Sequence, residues 1–99
     1  MKININSVHF KADQKLEDFI NSKINKLTHL YEGVISSDVI LKVDNTDTPE
    51  NKIVEIRIAI RGNDLYAKKQ AKTFEEATDQ VTDALKKQLT RYKEKIKEK

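Results

Sequence analysis

Apolar residues recur along this chain with two different periods, and the switch between them lays out the fold. Ile3 and Ile5 alternate with polar neighbours, the period-two signature of a half-buried strand. The alternation slips at Ser7, before Val8 and Phe10, which predicts a bulge or the strand end there. From Asp13 the period lengthens: Leu16, Phe19, Ile20, Ile24, Leu27, Leu30 and Tyr31 fall at helical spacing. Asp13 is the expected N-cap, because its carboxylate can accept orphan backbone N–H groups. Gly33 is the expected left-handed stop, so the first helix is expected over residues 13–32. Val39, Leu41 and Val43 then alternate with Asp38, Lys42 and Asp44, giving a second strand. Residues 44–51 are turn chemistry throughout. Val54, Ile56, Ile58 and Ile60 alternate with Glu55, Arg57, Ala59 and Arg61 in the clearest strand of the chain. Gly62-Asn63 is a hairpin signal, and Leu65 and Ala67 continue inward on a weaker fourth strand.

Thr73-Phe74-Glu75-Glu76 has the Thr-x-x-Glu form of a capping box. The second helix therefore starts there, with Phe74, Ala77, Val81, Leu85, Gln88, Leu89, Tyr92 and Ile96 as its stripe. The order is β-α-β-β-β-α. Each strand has one apolar face, so both helices are expected to pack on the same face of one four-stranded sheet, an α+β fold. A helix joins strand one to strand two, which predicts a parallel, right-handed connection. Strands two to four form a meander.

Length and composition set limits. Ninety-nine residues make one domain, expected over residues 1–99. The chain holds no cysteine, so it offers no disulfide framework, thiolate metal site or cysteine nucleophile. The first six residues alternate rather than run apolar, which predicts no secretory signal. No apolar run approaches the ~20 residues that span a bilayer. A cytoplasmic protein with no membrane partner is expected.

Catalytic constellations are missing from the pattern. His9 and His29 lie on different elements without metal-ligand spacing. His29, in the last helical turn, suits the negative end of the dipole. Asp44, Asp47 and Glu50 lack the order and distal glutamate of a calcium loop. The two glycines form no phosphate-cradling run. No enzyme activity, cofactor, metal or small-molecule substrate is expected.

Charge supplies the positive signal. Residues 73–83 carry four acids and no base, whereas residues 84–99 carry seven bases against two acids. A helix dipole rewards that order of signs, but its effect fades within the terminal turn. Clustered bases instead make a potential that attracts polyanions. At 100° per residue, Lys87 and Arg91 fall on one flank of the apolar stripe, and Lys86, Lys93 and Lys97 on the other. Lys15 and Lys26 flank the first helix, while Lys23 points into its apolar arc between Ile20, Ile24 and Leu27. A side chain that breaks a local rule marks a functional position or a stem that snorkels to solvent. With the helices side by side, Lys23, Lys26, Lys87 and Arg91 are expected to border one groove suited to phosphates. The sheet shows no aromatic platform beyond Tyr66, so base stacking of the RNA-recognition-motif kind is not expected. The run Lys68-Lys69-Gln70-Ala71-Lys72 resembles the basic lead into the last helix of double-stranded-RNA-binding domains, and most of it is placed on an edge strand.

With these residues in view, the chain resembles the short-form ribosome hibernation-promoting factors and ribosome-associated inhibitors of bacteria, over essentially its whole length. The resemblance runs through Lys2-Ile3-Asn4-Ile5, Leu16-Glu17-Asp18-Phe19-Ile20 and Lys23-Ile24-Asn25-Lys26-Leu27. It is strongest where Asp83-Ala84-Leu85-Lys86-Lys87-Gln88-Leu89-Thr90-Arg91-Tyr92-Lys93 is similar to the family's Asp-Lys-Leu-x-Arg-Gln-Leu-x-Lys-x-Lys signature. It departs at Ala84, where the signature has lysine, and at Thr73-Phe74-Glu75-Glu76-Ala77, which replaces Asp-Met-Tyr-Ala-Ala. The resemblance implies a fold akin to double-stranded-RNA-binding domains. It implies a stress or stationary-phase factor bound to 16S rRNA in the mRNA channel of the small ribosomal subunit. There it covers the A and P sites and blocks mRNA, tRNA and initiation factors. Lys23, Lys26, Lys87, Arg91 and Lys93 are the rRNA contacts it implies, with Lys86 as a compensating base for Ala84. It leaves open whether the protein acts alone or beside a separate ribosome-dimerising factor. From the residues alone, a general structured-RNA binder and a module that docks its last helix on an acidic protein are the other two readings.

Overall fold

The alternating isoleucines and valines of the third strand form the middle of the molecule. The computed structural model describes residues 2–31, 33–45 and 47–97, and side chains as far as residue 94. Its elements are β1 (Lys2–Ser7), α1 (Gln14–Thr28), β2 (Val34–Val43), β3 (Lys52–Ile60), β4 (Asn63–Ala71) and α2 (Phe74–Lys97). The expected β-α-β-β-β-α order is present, and the strands form one sheet in the order β1-β2-β3-β4. β1 pairs parallel with β2. β2, β3 and β4 pair antiparallel as a meander. The register stacks apolar residues in rows: Ile5 beside Val39, Val39 beside Ile56, Ile56 beside Ala67. This row shrinks to alanine at the β4 edge, which leaves room for α2 to lie close.

Val54, Ile56 and Ile58 are fully buried with Leu85 and Leu89 of α2 and Ile20 and Ile24 of α1. All belong to one core, so both helices share one face of the sheet. The stripe of α2 is fully buried at Ala77, Val81, Leu85 and Leu89. The side chain of the expected stripe position Ile96, like those of Lys95 and Lys97, lies outside what is described, as do residues Glu98 and Lys99. Thr78 and Thr82 are buried too, although their type does not announce it. Their hydroxyls donate to the carbonyls of Phe74 at 2.7 Å and Thr78 at 2.9 Å, so each buried polar atom is satisfied within its own helix.

The caps follow the sequence at both helix starts. Asp13 Oδ1 accepts from the Leu16 N–H at 2.8 Å, and Thr73 Oγ1 accepts from the Glu76 N–H at 3.0 Å. The end of α1 departs from expectation. The helix closes at Thr28, with His29 as a right-handed C-cap, while Glu32 lies outside the described residues. Two tighter turns follow, Leu30 N–H to Leu27 O at 3.2 Å and Tyr31 N–H to Thr28 O at 3.1 Å. Gly33 therefore does not stop the helix. It makes room for the Tyr31 ring, since a Cβ there would lie 2.7 Å from Cζ. That ring meets Tyr92 edge-on, with centroids 5.6 Å apart.

Of two further boundaries, the first falls as expected and the second shifts. β1 stops at Ser7 without a bulge, Val8 N–H reaches Leu41 O at 2.9 Å, and His9 turns the chain at φ +65°. Ile60 pairs with Asn63, so the hairpin turn is Arg61-Gly62 rather than Gly62-Asn63. Gly62 takes φ +80°, the value a type II turn needs at its third residue.

Leu85 touches the packing of both layers at zero exposure. Leu85→Ala is expected to lower unfolding free energy by about 2–5 kcal/mol. Urea denaturation checks this; a loss under about 1 kcal/mol contradicts the packing described.

Candidate nucleic-acid interface

The core stripe of α2 sorts the remaining positions of that helix onto two flanks, and the neighbours of each flank decide what its bases can do. α1 covers one flank. Between the two helices runs a groove lined by Lys23, Lys26 and Leu27 of α1 and by Asp79, Thr82 and Lys86 of α2, among others. Lys87 and Arg91 are not in it. They lie on the opposite flank, with Lys69 of β4, Ala84 and Gln88. The expected single groove of Lys23, Lys26, Lys87 and Arg91 is thus corrected. Lys86, one residue and about 100° away from Lys87, takes the place beside α1. A shallow concavity on the ridge, holding Lys86, Lys87, Thr90 and Arg91, joins the two flanks.

Lys23 breaks the apolar pattern of α1 for a local reason. Its ammonium lies 2.7 Å from Asp79 Oδ1 across the helix pair and 5.5 Å from the Phe19 ring centroid. Half-exposed pairs of this kind contribute about 0–1 kcal/mol, so the bridge orients the helices more than it holds them. Lys93 is also engaged: its ammonium donates to Leu30 O at 2.7 Å, beside the negative end of the α1 dipole. Lys87 makes a looser contact with Asp83, 3.7 Å away, with both side chains about two-thirds exposed.

Four cations on this surface, Lys26, Lys69, Lys86 and Arg91, make no ion pair among the described residues. Lys69 is a member that the sequence reading left on an edge strand. Its parity is the missed signal: it shares the inward phase of Leu65, Ala67 and Ala71 and pairs with Val54 across β3. At the sheet edge that phase emerges beside α2, where Gln88 Nε2 donates to Tyr66 O at 2.9 Å.

The other face of the sheet is charged, and its central groups are engaged with one another. Lys42 Nζ lies 2.9 Å from Glu55 Oε2, the Tyr66 hydroxyl donates to Glu55 Oε1 at 2.7 Å, and the Arg57 guanidinium lies 5.8 Å from the Tyr66 ring centroid. Asn4 Nδ2 donates to Asp38 at 3.0 Å. The Lys42 hydrogen bond, then that from Tyr66, holds the Glu55 carboxyl below its ordinary value of 4.5. The Glu55 carboxylate, followed by partial burial, pushes the Tyr66 phenol up. Among the described residues, no group of three or more histidine, aspartate or glutamate side chains could hold a metal ion. No described helix is long and apolar enough to cross a membrane.

Residues 3–97 match the family model described as sigma 54 modulation protein / S30EA ribosomal protein. The chain belongs to that family. Among its relatives, a protein of Salmonella typhimurium named ribosome hibernation promoting factor is 28% identical over 98 residues, covering 99% of each chain. A protein of the same name from Klebsiella oxytoca is 24% identical with equal coverage. The fold of this S30EA-family chain is similar to that of a ribosomal subunit interface protein from Coxiella burnetii, with TM-score 0.83, 17% identity, and coverage of 94% of this chain and 98% of that one. The N-terminal domain of Thermus thermophilus Protein Y gives TM-score 0.81 at 18% identity, covering 93% and 99%.

Glu55 supplies a pH test of the engaged groups on that sheet face. Its folded carboxyl binds a proton less readily than in the unfolded chain. It therefore stabilises the fold above pH 4.5, and that contribution is lost as pH falls through the lowered folded value. Glu55→Gln is expected to cost about 1 kcal/mol at pH 7. The gap to the parent should close in strongly acidic solution, as read by urea denaturation across the range. A gap of equal size at acid pH would assign the loss to packing instead.

Proposed function

We propose that this protein is a ribosome hibernation factor. It binds the small ribosomal subunit through 16S rRNA, in the mRNA channel over the A and P sites. Occupancy there excludes mRNA, tRNA and initiation factors and silences translation under stress or in stationary phase. The observation that carries the reading is a cluster of four cations that make no ion pair among the described residues, set on either side of α2: Lys26 of α1, Lys69 of β4, and Lys86 and Arg91 of α2 itself, in a chain of the S30EA family. Amines and a guanidinium on helices and a strand edge meet phosphate oxygens without first breaking an internal pair. On the sheet face Glu55 pairs with Lys42, and Lys2, Arg57 and Lys68, which make no ion pair among the described residues, lie on three different strands rather than around one helix. The names of the relatives, ribosome hibernation promoting factor, favour the ribosome over RNA in general.

Lys23, Lys26, Lys86, Lys87, Arg91 and Lys93 are the proposed rRNA-binding residues, and Lys69 joins them. They do not contribute equally. Lys26, Lys86 and Arg91 approach phosphate freely, whereas Lys23 must give up Asp79 and Lys93 must give up Leu30 O. No cofactor is needed for a mechanism that works by occupancy.

The test is co-sedimentation with purified subunits at two salt concentrations, with excess tRNA and duplex RNA as competitors. Saturable small-subunit binding that survives duplex RNA is the expected result. Affinity should fall with salt, by a log–log slope of about −0.7 to −0.9 per neutralised phosphate. Binding without subunit preference, abolished by duplex RNA, would make this a general RNA binder. No ribosome binding at either salt would point to an acidic protein partner. Charge reversal of Lys87 and Arg91 together is expected to weaken subunit binding at least tenfold, roughly the loss of one to two phosphate contacts, without shifting the unfolding midpoint. Lys86→Ala should cost more than Lys23→Ala, and the reverse order would show that the Asp79 pair opens freely.

A further inference from the structure

One carboxylate lies at the centre of the cationic surface. Asp83 lines the interhelical groove with Lys26 and Lys86, the β4-side concavity with Lys69, Lys87 and Arg91, and the ridge between them. Its side chain is about two-thirds exposed, and its Lys87 partner stands off at 3.7 Å. The helix dipole gives no reason for an acid here, since Asp83 lies well beyond the first turn of the 24-residue α2. An exposed, loosely held pair gives little to stability. For a surface that only collects phosphate, Asp83 is a defect, because it repels each phosphate that nears the ridge.

The repulsion becomes useful when phosphates settle on the flanks and not on the ridge. Lys26 and Lys86 on one side, and Lys69, Lys87 and Arg91 on the other, form two cationic lanes with Asp83 between them. A carboxylate accepts hydrogen bonds and cannot donate one. Between the phosphates of an RNA strand, the outward sugar group that donates is the 2′-hydroxyl; DNA has none there. Gln80, which also lines both flanks, adds a neutral partner to the same strip. We infer that Asp83 is a specificity-determining residue that selects RNA over DNA, by repelling phosphate from the α2 ridge and accepting a hydrogen bond from a ribose 2′-hydroxyl. The inference rests on the RNA-binding part of the proposed function and not on the identity of the RNA.

The test compares the full chain with Asp83→Ala and Asp83→Asn on RNA and DNA duplexes of one sequence, at one salt concentration. Both substitutions remove the charge, but only Asp83→Asn keeps an acceptor oxygen. Both are expected to tighten DNA binding by about threefold to tenfold, on the scale of one unit charge at close range in water. The parent should prefer RNA. Asp83→Ala should reduce that preference at least fivefold, with Asp83→Asn between the two. Equal tightening on RNA and DNA by Asp83→Ala would overturn the inference, since Asp83 would then only damp charge. So would an unchanged affinity for both, or a parent without RNA preference. Small-subunit binding measured in parallel separates the two proposals. A parent that prefers duplex RNA but ignores subunits sinks the ribosomal reading and leaves the role of Asp83 standing. A parent that binds subunits while Asp83→Ala keeps its full RNA preference does the reverse.

Discussion

The burial of one stripe of α2 is the constraint on which the rest of the molecule depends. Ala77, Val81, Leu85 and Leu89 are all without solvent exposure, and they close the core from above β3 and β4. Area burial at roughly 25 cal/mol per Å² makes such residues the main source of cohesion in a domain this small. Once that stripe is fixed, 3.6 residues per turn fix every other position of the helix. Lys86 must face α1, Lys87 and Arg91 must face β4, and Asp83 must stand between. The interface is thus a by-product of the core's periodicity. A one-residue change of helical phase would both expose leucine and scatter the cations.

The polar groups that sit against this core are held by neighbours of short reach. Thr78 and Thr82 bond to carbonyls of their own helix, so burying them leaves no orphan hydroxyl. Lys23 lies along the apolar arc of α1 because Asp79 waits across the groove. Lys93 closes the other end of the helix pair by capping Leu30 O. These two lysines bridge α1 and α2 at separate points along their contact, at either end of the groove that Lys26 and Lys86 border. Bases that look alike in the sequence therefore split into struts and free cations.

Most of the fold was legible because it rests on local periodicity. The isoleucines of β3, the stripe of α2 and the caps at Asp13 and Thr73 are each read from a few neighbouring residues. The errors fell where a residue's setting comes from far along the chain. Gly33 looks like a helix stop, but the Tyr31 ring that folds over it is placed by Tyr92. Helical spacing correctly put Lys86 and Lys87 on opposite flanks. Which flank meets α1 depends on tertiary packing, so the membership of the groove was misjudged. Lys69 reads in sequence as one of a basic run on an edge strand, whereas its inward phase opens beside α2 at this edge. Asp83 opens the stretch that resembles the family signature, but its place between two cationic flanks is not legible in sequence, where an aspartate four residues before a lysine reads as an ordinary helix pair.

The division of labour between the two faces of the molecule follows from how each handles charge. On the sheet face, Glu55 engages Lys42 and the Tyr66 hydroxyl at once, and Tyr66 in turn faces Arg57. A polyanion arriving at the centre of that face would have to break the Lys42–Glu55 pair, and it would find one aromatic ring whose hydroxyl is already committed. In the grooves beside α2, two carboxylates, Asp79 and Asp83, stand against Lys23, Lys26, Lys69, Lys86, Lys87 and Arg91, and the excess is presented on rigid backbone. Pairing costs nothing to undo where no pair exists. That difference, more than the net charge of +3, directs a phosphate backbone toward α2. A basic protein whose cations were all matched would carry the same net charge and attract far less.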